Sequence, residues 1–246
     1  MAEIAGHGAV WKSDDLTRTF LTGVRGAIPL AAEQLAILVR LVERAQPELK
    51  TFMDLGCGDG ILGAALAKRF PESTGMFLDF SKPMLEAARA RFSAESSKHT
   101  FIECDYGSPD WLERVHAAAP FDAIVSGFSI HHQPDDRKKW LYDEIFGMLK
   151  PGGIFLNLEH VASASKWVEG AFDELFVDSL YAHHTASGGK KSKAEIAQEY
   201  YFRPDKAANM LMPVEKQCLW LRGIGFKDVD IYLKVFELAL FGGVRP

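Results

Sequence analysis

The chain has 246 residues, 48% hydrophobic and 25% charged, the make-up of a globular protein with room for one large domain or two small ones. Its formal net charge of -5 excludes a strongly basic surface, so unaided binding of a long nucleic acid is disfavoured while a nucleotide-sized or small-molecule ligand stays open. Cys57, Cys104 and Cys218 suit neither a disulfide framework nor a zinc site, and Met1–Val10 has no leader-like apolar core. With no apolar run near the ~20 residues of a membrane span, the expectation is a cytoplasmic chain outside the membrane.

Taken in order, Leu30–Glu43 keeps helical spacing, with Pro29 suited to its first turn. Thr51–Leu55 is a short apolar strand closed by Gly56, and Ile61–Arg69 is helical up to Pro71. Gly75–Phe80 reads as a strand and Lys82–Phe92 as a helix, with Ser81 as N-cap and Pro83 tolerated in the first turn. Thr100–Cys104 and Phe121–Gly127 are further strands. Asp135–Leu149 is an amphipathic helix stopped by Lys150-Pro151-Gly152-Gly153, and Ile154–His160 is again a strand. Strands alternating with helices imply a parallel sheet covered on both faces.

After Val161 the rhythm changes. Lys166–Leu180 and Ile196–Leu211 look helical around a polar stretch at Ser187–Lys193. Gly225–Lys234 and Val235–Gly242 are two strands with almost no connection, so they must pair antiparallel. The expected fold is one doubly wound α/β domain of seven strands, the last antiparallel, with a helical cap after the fifth. Residues 1–48 are assigned to an N-terminal lid and helix, 49–160 to the ligand-binding core, 161–222 to the cap and 223–246 to the closing strands.

Asp54-Leu55-Gly56-Cys57-Gly58-Asp59-Gly60 sets three alternate glycines between a strand and a helix, where a residue without Cβ lets the backbone turn tightly and touch a ligand. Gly58, Gly60 and Gly63 also satisfy the dinucleotide pattern G-x-G-x-x-G. Asp59 would repel a pyrophosphate at the helix start, whereas acidic groups suit a cationic cofactor; a helix-capping role is the alternative for Asp59.

This segment resembles motif I of class I S-adenosylmethionine (SAM)-dependent methyltransferases, and the later strand ends match that family in order over Lys50–Glu159. The resemblance implies that Asp79 takes both ribose hydroxyls, where bonds to a charged acceptor contribute ~1.5–3 kcal/mol each. It also implies that Asp105 accepts from the adenine amine and that Tyr106 or Phe80 stacks on the base. Asp54, Gly56, Cys57, Gly58, Met84, Gly127 and Phe128 complete the expected cofactor set, with S-adenosylhomocysteine as product. His131 and His132 fall in the family's motif IV region and are the candidate general bases, imidazole titrating near neutrality.

Candidates for the acceptor pocket are Trp11, Arg25, Tyr181, His183, Tyr200, Tyr201 and Arg203, and a Trp near a sulfonium can also make a cation–π contact. His183-His184 and Glu159-His160 offer metal-ligating types at poor spacing, so no metal is expected. The reading is methyl transfer to a small-molecule acceptor, with a homodimer left open. The plan, including Phe236–Gly242, also resembles the carboxy-SAM synthases of the tRNA wobble-uridine pathway. Those carry an asparagine where this chain has Gly127, and only Arg203 is a candidate for their carboxylate-binding arginine. A catalytically idle SAM-binding module, a nicotinamide oxidoreductase and a nucleic-acid methyltransferase are the rival functions.

Overall fold

The structure, a computed structural model, describes residues 25–93, 97–203, 206 and 208–246. Trp11 and most of the expected lid lie outside those residues. From a turn at Arg25–Ala27 the chain runs through α1 (Ala31–Ala45), β1 (Thr51–Leu55), α2 (Ile61–Arg69), β2 (Thr74–Asp79) and α3 (Lys82–Arg91). Then come β3 (Thr100–Glu103), α4 (Trp111–Val115), β4 (Phe121–Gly127), α5 (Asp135–Met148) and β5 (Leu149–His160). The last third is α6 (Lys166–Ala186), α7 (Lys193–Tyr201), α8 (Val214–Ile224), β6 (Lys227–Val235) and β7 (Leu238–Val244).

One sheet holds all seven strands in the order β3-β2-β1-β4-β5-β7-β6. The pairs from β3 to β5 are parallel, and β7 runs antiparallel to both β5 and β6. The order reverses between β1 and β4, which opens a crevice at the carboxyl ends of those strands.

Strand side chains alternate between two buried layers, as a sheet covered on both faces requires. Along β1, Phe52 joins Leu38, Leu62, Leu66 and Leu85 from α1, α2 and α3. Its neighbours Met53 and Leu55 join Trp111, Leu141, Ile145 and Leu221 from α4, α5 and α8.

Four local expectations are corrected. Pro29 precedes α1 rather than opening it, because Leu30 is left-handed (φ 57°) and the helix starts at Ala31. The Pro151-Gly152-Gly153 stop does not delay β5, which begins at Leu149; a register shift opposite Phe121 and Ala123 absorbs the extra residues. The helix expected over Ile196–Leu211 ends at Tyr201, since Arg203 precedes Pro204 and a residue before proline is pushed out of the helical region. Val214–Ile224, expected within the cap, is a helix whose Val214, Cys218 and Leu221 enter the sheet core, so α8 belongs to the layer on α5, β6 and β7. Of the segment assigned to the cap, α6 and α7 are helices.

Phe77 of β2 is fully buried, with Phe92 and Phe101 at 4.8 and 4.9 Å between ring centroids and Phe52 edge-on at 5.8 Å. Truncating it leaves a cavity that close-packed neighbours fill only in part. Phe77→Ala is expected to cost about 3–5 kcal/mol, read as a lower urea midpoint at unchanged m-value.

Candidate active site

The glycine loop leaves β1 with Gly56, Gly58 and Gly60 all in the left-handed region (φ 64°, 54° and 76°). At Gly56 space is as restrictive as conformation, since a Cβ there would lie 1.9 Å from Ser129 Oγ. Asp54 is fully buried, and its Oδ2 accepts the Gly63 amide at 2.8 Å. Gly63 is the third residue of α2, one of the four with no intrahelical acceptor, and Gly60 at the N-cap has no side chain to serve it. The strand carboxylate therefore does the capping from outside the helix, where the dipole favours a negative charge.

Asp59 corrects an expectation. Its carboxylate pairs with the Arg91 guanidinium of α3, and Arg91 Nε also donates to the Asp59 carbonyl at 2.9 Å. This ion pair within the protein offsets the charge on which the expected repulsion of a pyrophosphate rested.

Asp79 stands at the end of β2 and is 6% exposed. Oδ2 accepts the Gly58 amide and Oδ1 the Ser81 amide, each at 2.8 Å. Burial pushes its carboxyl up to about 6, against the pull of these amides. The Phe80 amide adds a third backbone hydrogen bond, which leaves about one of the carboxylate's roughly four acceptor sites for a ligand hydroxyl.

Asp105 follows β3, is exposed, and uses one oxygen on the Gly107 amide at 2.7 Å. Together with half-buried Phe80 it lines an open hollow of about 350 Å³ that also takes in Ser108, Trp111 and Arg114. Tyr106 is buried instead, its hydroxyl 2.5 Å from Ser129 Oγ and its ring edge against Gly56. It braces the loops after β1, β3 and β4 together. Arg137 clamps its carbonyl from Nε and Nη2 at 2.9 and 2.7 Å while pairing with Glu144. Cys57 and Met84 are buried beside this loop system, and burial pushes the Cys57 thiol far up.

At the end of β4, Gly127 leaves room for Leu62, whose Cδ1 would meet a Cβ at 2.8 Å. Phe128 is held at φ 50°, an uncommon conformation for a bulky side chain, while its amide donates to Leu158 O at 2.7 Å. The next turn, Ile130–His132, presents both histidines to the end of β5. His131 Nδ1 lies 2.5 Å from Glu159 Oε1, and its backbone amide donates to Glu159 Oε2 at 3.0 Å. Burial holds His131 well below the usual histidine range, helped by His160 and Lys138 and opposed by a hydrogen bond that the ring donates to the Asn209 side chain. Burial likewise raises Glu159 to about 7.

His132 packs its ring 3.9 Å from that of His131 and bonds Ala208 O through Nδ1 at 3.2 Å. Three further contacts strap the segment after α7 over these histidines. Met210 N donates to His131 O at 2.9 Å, the buried Lys138 ammonium reaches Met210 O, and Ala162 N donates to Met212 O at 3.1 Å. His160 Nε2 meets Glu237 Oε2 at 2.7 Å, and Ser163 Oγ donates to the other oxygen at 2.5 Å.

The acceptor-side candidates divide. Arg203 lies over the Tyr200 ring at 4.4 Å, close enough for its charge to disfavour a proton on His131. Tyr200 is buried, its hydroxyl donating to Asp173 at 2.7 Å, while Tyr201 is exposed and faces Lys206 at 5.6 Å. His183 packs instead on the first turn, where a Cβ at Gly26 would lie 2.4 Å from its ring, and Tyr181 is exposed on the same helix. Arg25 begins that turn, and only its backbone is described. Sequence reasoning missed Lys138, Asn209 and Glu237 around the histidines, and saw Glu159 only as a metal-ligating type. Among the described residues no three His, Cys, Asp or Glu side chains converge as a metal ion requires, and no helix is long and apolar enough to cross a membrane.

Residues 52–153 match the family model described as "Methyltransferase domain". Across 93% of this chain and 91% of its own length, the carboxy-S-adenosyl-L-methionine synthase of Nautilia profundicola is 22% identical. An O-methyltransferase family protein from Burkholderia thailandensis superposes on 97% of the chain with a TM-score of 0.67 and 16% identity. Human N-acetylserotonin methyltransferase in complex with SAM superposes on 99% with a TM-score of 0.58 and 17% identity. The chain spans 62% and 60% of the lengths of those two solved chains, so they establish the fold alone.

Replacing Asp79 by asparagine would turn an amide NH2 toward at least one of its three backbone donors. Asp79→Asn is expected to destabilise the ligand-free protein by about 1–3 kcal/mol in urea unfolding. In the parent, carbon-13 NMR of the Asp79 carboxyl should show its midpoint near 6. Linkage gives the sign: a carboxyl raised in the folded state opposes folding increasingly as pH rises from the unfolded value to about 6, and by a constant amount above it.

Proposed function

We propose that this chain, a class I SAM-dependent methyltransferase by its central domain and fold, methylates a small protic molecule held between the Ile130–His132 turn and the helical cap. The observation that carries this reading is the buried His131–Glu159 pair, 2.5 Å apart at the ends of adjacent parallel strands. The loops that would hold the cofactor reach it directly, because Ser129, two residues before His131, touches both Tyr106 and Gly56.

The residues at the other strand ends fit SAM chemically. Asp79 offers an anionic acceptor to a ribose hydroxyl, and Asp105 offers one to an exocyclic amine. The cation nearest the glycine loop, Arg91, is already held by Asp59 and is not presented to a phosphate. When bound, SAM supplies a methyl group on a positive sulfur, an electrophile that needs no metal.

The chain's own work is then alignment and proton removal. Glu159 holds Nδ1 of His131, and the Asn209 side chain also bonds this ring, so an acceptor X–H reaches the other ring nitrogen by displacing Asn209. That nitrogen takes the proton as X acquires the methyl, and the Glu159 carboxylate offsets the imidazolium charge. Because burial keeps His131 neutral, the base is ready at neutral pH. Holding both reactants in line contributes up to ~7–11 kcal/mol, and a positioned base ~10²–10⁴-fold.

A second reading, carboxymethyl rather than methyl chemistry, is supported by the likeness to carboxy-SAM synthase along nearly the whole chain. The Arg203 charge beside His131 would suit an anionic co-substrate. Mass spectrometry of the small molecules released on denaturing the purified protein separates SAM, its demethylated product and carboxy-SAM.

Ribose hydroxyls bond best to an ionised carboxylate. SAM affinity measured by calorimetry should therefore fall as pH drops through about 6, with proton release on binding near that pH; a flat profile would remove Asp79 from the ribose site. On an acceptor found by screening phenols, alcohols and thiols for S-adenosylhomocysteine formation, His131→Ala should cut turnover by ~10²-fold or more at unchanged SAM affinity. Turnover within twofold of the parent would show that His131 is not the base.

A further inference from the structure

A buried polar chain runs behind the His131–Glu159 pair and is not used by the reaction as described. Asn157 stands two residues before Glu159 on the same face of β5 and is fully buried. Its Nδ2 lies 3.4 Å from Glu159 Oε2 and 3.4 Å from the Tyr142 hydroxyl. Tyr142 donates to Gln217 Oε1 at 2.5 Å, and Gln217 Nε2 donates to Met212 O at 3.1 Å, in the strap over the histidines. Asn157 Oδ1 is buried with no hydrogen-bond partner among the described residues.

An unsatisfied buried carbonyl is costly, and a leucine of similar size would avoid the cost. What a carboxamide has and a leucine lacks is two chemically opposite ends exchanged by a half-turn about one bond. With Glu159 ionised, Nδ2 faces it as a donor, as seen here. With Glu159 protonated, the half-turn would bring Oδ1 to the same place, where it accepts the carboxyl proton.

We propose that Asn157 is a positioning residue that holds Glu159 on His131 in both protonation states, by presenting its amide to the ionised carboxylate and its carbonyl to the protonated one. The inference rests on the His131–Glu159 pair being the working base. Burial is what brings Glu159 into the range where both states are populated near neutrality. The groups that bias the pair come from every element around it. They are His132 after β4, His160 on β5, Lys138 and Tyr142 on α5, Tyr106 after β3, Arg203 after α7, and Cys218 of α8 through Tyr142.

NMR on the full chain, labelled at asparagine, glutamate and histidine, tests this without any acceptor. Between about pH 5 and 9, the Asn157 side-chain amide signals should move with the same midpoint as the Glu159 carboxyl. Asn157→Leu removes the donor to the anion and should raise that midpoint by about one pH unit; the isosteric Asn157→Asp, a like charge, should raise it further. A parent Asn157 amide that stays flat through the Glu159 transition overturns the proposal, as do both variants leaving the midpoint within about 0.2 of the parent. The parent titration decides alone if Asn157→Leu fails to fold. Failure of the base reading looks different: His131→Ala would stay active while the Asn157 titration persisted.

Discussion

The site hangs on one buried carboxylate at the end of the first strand. Asp54 reaches across the glycine loop to the Gly63 amide, tying the strand to the helix that the loop must start. With α2 anchored there, the three left-handed glycines between have little freedom left. Gly56 is pressed to Ser129 and Gly58 turns its amide to Asp79. A buried carboxylate is tolerated at this point because the helix terminus supplies the Gly63 donor and a favourable dipole. The cofactor half of the site is thus set by backbone that cannot be rearranged one residue at a time.

The proposed acceptor half follows the opposite principle, with side chains meeting from distant segments. His131 comes from the end of β4, Glu159 from β5, Lys138 from α5 and Asn209 from the strap after α7. Burial moves both members of the central pair toward their neutral forms, His131 downward and Glu159 upward. The low-dielectric edge of the sheet therefore does for acid–base chemistry what glycine geometry does for binding.

This difference explains what was legible beforehand. Seven strands, their order of appearance and the antiparallel last strand follow from local periodicity and connection length. The glycine loop and Asp79 were visible because their signal lies within a few residues of a strand end. Asp59 was misread because its partner, Arg91, lies 32 residues away and no local rule reports it. For the same reason His131 was named without Glu159, 28 residues on. The helix assigned through Leu211 failed on local chemistry that was available, the Arg203-Pro204 step. Residues 214–222 were assigned to the cap, and the helix Val214–Ile224 was not read as an element of its own.

The contact between Gly56 and Ser129 has a thermodynamic meaning. A Cβ at residue 56 would sit 1.9 Å from Ser129 Oγ, so the loop after β1 and the turn carrying His131 share a single wall. A ligand that settles one loop lowers the ordering cost of the other, and such coupling is reciprocal by necessity. If the acceptor binds where proposed, donor and acceptor would be mutual effectors at a distance of one side chain, with no moving domain required to carry the message.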